Sequence, residues 1–246
     1  MVKINGEPVT AANGVARKGD VVTMSDIDNP LFMNADGATI IIGSNVMTTI
    51  SINGSDNVIK GGDYVRLITI GGANNIVSVG HNCHINGAMN GAMIVAGKKC
   101  KIAIKGVGNL VSTLDGADIN VNDECLVHVA CDSKVVTGNR STIKSFANVS
   151  IDTCDESIVS AHRESSIAAN RNCTVSIIGN QGIVNVGANA GSIATCSGVF
   201  HEFKMKHRVQ FEDGEFTSKR KYTVGKRSIT LTEEEFLELM AQRETK

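Results

Sequence analysis

The sequence contains no tryptophan, two tyrosines, seven phenylalanines and two prolines, Pro8 and Pro30, in 246 residues. Aromatic rings supply much of the volume of an ordinary core. With aromatics at 4% and hydrophobic residues at 42%, this core must be narrow and built from small and branched side chains. Charge of one sign is also lacking: a formal net charge of −1 gives no global field to draw nucleic acid or an anionic membrane, so either partner would need a local patch. No apolar run reaches the roughly 18 residues of a membrane span, and the opening MVKINGEPVTAANG lacks the apolar segment of a secretory signal. A soluble, cytoplasmic protein with no membrane partner is expected. Seven cysteines are an odd number in a chain too long to need disulfide staples, which favours reduced thiols.

What the chain does have is a repeat. In steps of eight from Ile119 come Val127, Val135, Ile143, Ile151, Val159, Ile167, Val175 and Ile183, all branched aliphatics. Two residues before each lie mostly small side chains (Ala117, Cys125, Ser133, Ser141, Val149, Ser157, Ser165, Cys173), and two residues after each the set is again mainly small. Alternation with period two is a strand, and a small-large-small inward triplet fits tightly wound, stacked strands. Polar residues such as Asp115, Asp123, Asn139, Asp155, Arg163 and Arg171 fall between triplets, where the chain must turn. An even step keeps every strand's inward parity.

Further upstream the series Ile42, Ile50, Ile59, Ile68, Ile76, Ile85, Ile94, Ile102, Leu110 and Ile119 advances by eight or nine. Fourteen glycines lie between residues 36 and 118 against three between 119 and 183, which places glycine where corners must absorb an extra residue. A fixed short period without a helical pattern predicts an all-β fold, a single-stranded parallel β-solenoid of short strands at an 8–9 residue period. An antiparallel meander would show Asn-Gly or Asp-Gly between most strands, and residues 119–183 contain neither. Three octads per turn, a triangular coil of 24 residues, are preferred to two in a flattened coil of 16, since Cys125 and Cys173 are twice 24 apart.

The ends differ in composition. Residues 1–35 read as an N-terminal cap or head, with VKING and DVVTM as strands and turns at Asn5-Gly6 and Asn13-Gly14; residues 36–198 are the solenoid. Residues 199–246 hold five of the seven phenylalanines, Phe200, Phe203, Phe211, Phe216 and Phe236. They read as a hairpin turning at Asp213-Gly214, a strand ending near Leu231, and a helix that Thr232 starts with Glu235 as its capping box. This segment caps the last coil or joins copies of the chain, with Leu237 and Met240 on the helix's apolar stripe beside the phenylalanines.

Candidate chemistry is sparse. His81, Cys83 and His84 are ligand types, but adjacent strand residues point to opposite faces and no second half of a four-ligand site follows, so no metal ligand is nominated. Asp115, Asp118, Asp123, Asp132, Asp152 and Asp155 sit at or near corners, where aspartate commonly bonds its own backbone; no catalytic residue is nominated and no cofactor is expected. GGANN at 71–75 and GVGN at 106–109 match neither a phosphate loop nor a dinucleotide fingerprint and read as wide corners. Lys219, Arg220, Lys221, Lys226 and Arg227 form one basic patch, more consistent with a solvated strand edge than with nucleic-acid binding.

By its octads the chain resembles β-solenoids in general, and its small uncharged core and capped ends resemble bactofilin-like scaffolds and the β-helical modules of phage and adhesins. The resemblance covers residues 36–198, and no family motif accompanies it. It implies self-assembly or presentation of a flat repetitive surface, and a virion location if the chain is phage-encoded. The function expected is a non-enzymatic structural or interaction solenoid, a homo-oligomer joined through residues 199–246, with a protein partner possible on the solenoid face. A glycan-binding or glycan-cleaving β-helix is the alternative, and a protein inhibitor or decoy a further one.

Overall fold

The computed structural model describes residues 1–9, 13–25, 27 and 29–178, and beyond them the backbone of the strands Ile183–Val186, Ile193–Ser197, Glu202–Lys204, Val209–Phe211, Arg220–Val224 and Arg227–Leu231. The chain is an all-β parallel solenoid that divides into two units, Met1–Gly138 and Asn139–Lys246. In the first unit one sheet, here the first sheet, stacks Val21–Met24, Thr39–Ile42, Val58–Gly61, Ile76–Val79, Met93–Ala96, Leu110–Thr113 and Leu126–Val129. The second sheet stacks Asn13–Ala16, Leu31–Ala35, Thr49–Asn53, Leu67–Ala73, His84–Asn90, Lys101–Lys105, Asp118–Val121 and Lys134–Thr137. Consecutive strands alternate between the two sheets. In the second unit Thr142–Ser145, Ile158–His162, Thr174–Ile178, Ile193–Ser197 and Val209–Phe211 form one sheet, and the other runs from Ser150–Thr153 through Ser166–Ala169 to Arg220–Val224.

A coil therefore holds two strands, not the three preferred from the sequence. Strand registers place Val58 on Ile76 (18 residues), Ile76 on Met93 (17) and Leu110 on Leu126 (16), and in the second unit Thr142 on Ile158 (16). The cause lies at the corners. Glu124 and Asp132 in the first unit, and Arg140, Asn148, Glu156, Glu164 and Asn172 in the second, have φ between 52° and 59°, one left-handed residue in every octad. Several are bonded into the next coil: the Arg140 N–H donates to Asp155 O (2.9 Å), the Asn148 N–H to Arg163 O (3.0 Å) and the Glu156 N–H to Arg171 O (2.8 Å). A left-handed residue in so short a connection folds the chain back on itself, which leaves two facing sheets and no third side. Cys125 and Cys173, 48 residues apart, are as compatible with three coils of 16 as with two of 24.

The core follows from this reversal. Ile119 and Val135 point inward from the second sheet and Val127 from the first; in the second unit Ile143, Val159 and Val175 face Ile151 and Ile167. The branched residues thus form two facing columns per unit, not a single one. Ile167 stacks on Val184, so Ile183 is one residue out of the series. Ile76 and Leu110 leave it too, because Val77 and Val111 are the buried residues of those strands. In both strands two aliphatics are adjacent, so hydrophobicity alone does not fix parity, and stacking on the neighbouring coil does.

Where coils are longest, glycine makes the corner possible. Gly72 has φ +102°, and a Cβ there would lie 2.1 Å from Gly54 O on the coil below.

At the N-terminus Val2–Ile4 and Glu7–Val9 form an antiparallel hairpin around Asn5-Gly6, and Val2–Ile4 runs antiparallel to Val21–Met24. Asn13-Gly14 is not a turn: it opens the strand Asn13–Ala16, already part of the parallel stack. Near the C-terminus the antiparallel pair is Arg220–Val224 with Arg227–Leu231. Val209–Phe211 and Arg220–Val224 belong to different sheets, so they are not the two arms of a hairpin; Asp213-Gly214 and the helix expected from Thr232 lie outside the described residues.

Candidate interaction faces

The two outer faces of the first unit are chemically different. On the first sheet the outward residue before each core position is Val21, Thr39, Val58, Ile76, Met93, Leu110 and Leu126, in register from coil to coil. The second outward column is Thr23, Ile41, Lys60, Ser78, Val95, Ser112 and His128. Val21, Ile41, Ile76, Met93 and Val95 are each between 40% and 46% exposed, a continuous aliphatic surface where most proteins keep polar residues. Lys60 is the one Lys, Arg, Asp or Glu among these fourteen positions. In the second unit Ile158, Phe146 and Ile178 are about half exposed, and the Phe146 ring stacks on His162 one coil on, with centroids 5.6 Å apart.

On the second sheet the matching columns are polar from His84 to Lys134, whereas Val15 and Phe32 on its first strands are exposed apolar residues. His84, Lys101, Asp118 and Lys134 follow one another in register, beside Asn86, Ala103 and Asn120. Ala103 is short between two asparagines, which leaves a shallow depression of about 350 Å³ lined by His84, Asn86, Lys101, Ala103, Asp118 and Asn120.

Corner side chains are occupied in joining coils. The residue before the left-handed position accepts a backbone N–H from the next coil: Ser44 Oγ from Asp63 (3.1 Å), Asp63 Oδ1 from His81 (2.7 Å), His81 Nδ1 from Lys98 (2.8 Å) and Asp115 Oδ1 from Cys131 (3.2 Å). Asp115 thus bonds the neighbouring coil, whereas the sequence suggested its own backbone. Lys98 Nζ lies 3.0 Å from Asp115 Oδ2, and its hydrogen bond, with that of the Cys131 N–H, holds the Asp115 carboxyl below the usual range. Asp155 is lowered in the same way, first by the Arg171 side chain and then by the Arg171 N–H.

The small residues after the left-handed position form an internal polar ladder. Asn57, Asn75 and Asn109 are wholly or almost wholly buried; the Asn57 N–H donates to Asn75 Oδ1 (3.0 Å), and Asn75 Nδ2 donates to Gly54 O (3.0 Å) and Gly71 O (3.2 Å). Lower in the series Ser157 Oγ accepts the Ser141 N–H (3.2 Å). Cysteine serves the same slot: Cys83 Sγ donates to Gly62 O and Cys100 Sγ to Gly80 O, both at 3.2 Å, while the Cys83 N–H donates to Cys100 Sγ (3.4 Å). The Cys100 sulfur beside it, then burial, push the Cys83 thiol up. Burial raises Cys125 and Cys173 likewise.

Of the residues singled out in the sequence, Cys83 is buried and His84 exposed, on opposite faces as the pleat requires, and His81 is a corner acceptor. Among the described residues no group of three or more His, Cys, Asp or Glu could hold a metal ion. Phe203, Phe211, Arg220, Lys221 and Arg227 fall in strands whose backbone alone is described, and Phe200, Phe216, Lys219, Lys226, Phe236, Leu237 and Met240 lie outside the described residues. The aliphatic face escaped the sequence reading although a signal exists: Val21-Val22, Val58-Ile59, Ile76-Val77, Met93-Ile94, Leu110-Val111 and Leu126-Val127 are apolar doublets, while the strands between them read His84-Ile85, Lys101-Ile102, Asp118-Ile119 and Lys134-Val135. No family model, curated protein or solved structure matches the chain.

Proposed function

We propose that the protein is a non-enzymatic β-solenoid that acts through protein contacts and self-associates. The observation that supports this reading best is the outer face of the first sheet, where each of seven strands turns at least one aliphatic outward and Lys60 is the one Lys, Arg, Asp or Glu among fourteen positions. Exposed apolar surface of that extent costs solubility unless a partner covers it. A bactofilin-like scaffold, cytoplasmic and homo-oligomeric, accords with such a face. The Phe-rich residues 199–246 are proposed as a second contributor, through Phe200, Phe203, Phe211, Phe216, Phe236, Leu237 and Met240. Light scattering on the full chain tests the reading: an oligomer is expected, and a monomer at every concentration overturns it.

A second reading, a glycan-binding β-helix of phage or adhesin type, draws on the depression over Ala103, where Asn86 and Asn120 amides flank a methyl floor beside His84, Lys101 and Asp118. Binding to a glycan panel that Ala103→Trp abolishes would favour it; failure to bind any member removes it.

A further inference from the structure

We infer that the first sheet's outer face is a lateral interface for a second copy of this chain, packed side by side and not end to end. The inference rests on the self-association proposed above and assigns its surface. Three features select a second copy as the occupant.

The first is charge. Thirteen of the fourteen outward positions carry no Lys, Arg, Asp or Glu, so the face offers nothing to a charged partner, whereas two such faces can approach without repulsion beyond that of Lys60. The second sheet's outer face, with Lys101, Asp118 and Lys134 in one column, has no such neutrality.

Spacing is the second. Outward side chains recur at the strand separation of about 4.8 Å over seven strands, a period that only another stacked β structure reproduces. A two-fold axis along the stacking direction would lay the aliphatic column of one copy over the second column of the other. Bulk then meets a small side chain at two levels, Ile76 opposite Ser78 and Leu110 opposite Ser112, and Met93 meets Val95 in an apolar pair between them.

The third is the end of the stack. Met1, Lys3 and Asn5 direct their backbone bonds toward Ser25, Thr23 and Val21, so Val2 and Ile4 bond the outer strand Glu7–Val9 and Pro8 takes the position facing away. Proline has no N–H to give there, and the edge of the first sheet resists an added strand. Growth from that edge is closed while the face remains bare.

The footprint, seven strands by four residues, is roughly 34 Å by 13 Å, or roughly 450 Å² per copy. This is about half of a standard interface, so the contact is reversible and of micromolar or weaker strength unless the C-terminal segment adds to it.

Sedimentation velocity on the full chain, from about 1 μM to about 1 mM, reads the result. Wild type is expected to associate with rising concentration. Met93→Glu, whose side chain is exposed and whose circular dichroism should be unchanged, is expected to weaken association at least about tenfold, and Lys101→Glu on the opposite face to leave it unaltered. Mixing Met93→Glu with Val95→Lys copies is expected to restore pairing, since the two positions face each other across the two-fold. Association that persists in Met93→Glu at wild-type strength overturns the lateral interface and leaves self-association standing. A wild type monomeric throughout overturns both.

Discussion

Asp155 and Arg171 stand sixteen residues apart in sequence and one coil apart in the stack, and they are joined twice over: the Arg171 N–H donates to Oδ1 at 3.2 Å, and its guanidinium to Oδ2 at 3.0 Å from Nε and 2.5 Å from Nη2. The pair ties coil to coil through both backbone and side chain.

Acid should loosen such ties. The folded state lowers the carboxyls of Asp155 and Asp115, so their contribution is complete above the unfolded carboxylate range near about pH 4 and is lost as pH falls through the lower folded values. The urea midpoint is expected to hold from about pH 7 to about pH 5 and to drop below about pH 4. Asp155→Asn should show a smaller drop, and an identical profile would count against the account. Both carboxylates are solvent-facing, so the effect is modest and screened by salt.

The buried asparagines carry more weight. Asn75→Leu removes the acceptor of the buried Asn57 N–H and the amide that Gly54 O and Gly71 O accept from, leaving the Asn57 N–H unmet. A loss of about 3 kcal/mol is expected by chemical denaturation. Ser157→Ala, which forfeits the bond from the Ser141 N–H and the one its own hydroxyl gives to Asp155 O, should cost about 1–2 kcal/mol.

Glycine at the wide corners is needed for space as well as for φ. Gly72→Ala is expected to cost more than 2 kcal/mol, on the order of a buried strain or overpacking defect, because its Cβ would lie 2.1 Å from Gly54 O. Gly6→Ala, at φ +88° with nothing within 4 Å, should cost about 1 kcal/mol. Equal midpoints for the two variants would refute the distinction.

Thiol chemistry separates the cysteines. Cys154 is exposed, and Cys83, Cys100, Cys125 and Cys173 are buried in corner slots. Brief alkylation followed by peptide mapping should modify Cys154 in the folded protein and the buried four only in denaturant. Rapid labelling of Cys83 or Cys100 without denaturant would contradict the packing.

Periodicity was enough to predict strands, their inward parity over most of residues 119–175 and a parallel stack, because branched residues eight apart can be buried together in few other ways. The glycine-rich half was legible for the same reason: longer steps need corners that only unusual backbone angles can make. Yet the number of strands per coil was misread. The hydrophobic step records how far apart corners are, not how sharply each one bends, and the bend is set by residues as unlike as Lys99, Glu124 and Asn148 in the left-handed region.

From Ile76 to Val135 the alternation of apolar doublets with polar-apolar pairs would have revealed two distinct faces, since one face recurs at every second octad. Its meaning still depended on tertiary structure. Ile76 and Val77 are equally apolar neighbours, and only stacking on Met93 and Ile94 decides that Val77 enters the core while Ile76 joins the outer column. Sequence by itself determined that this chain winds into a solenoid, because its repeat leaves few other ways to bury those side chains. The three-dimensional fold decided which aliphatics remain outside, because parity in a stacked strand is fixed by the coils above and below it and not by the residue alone.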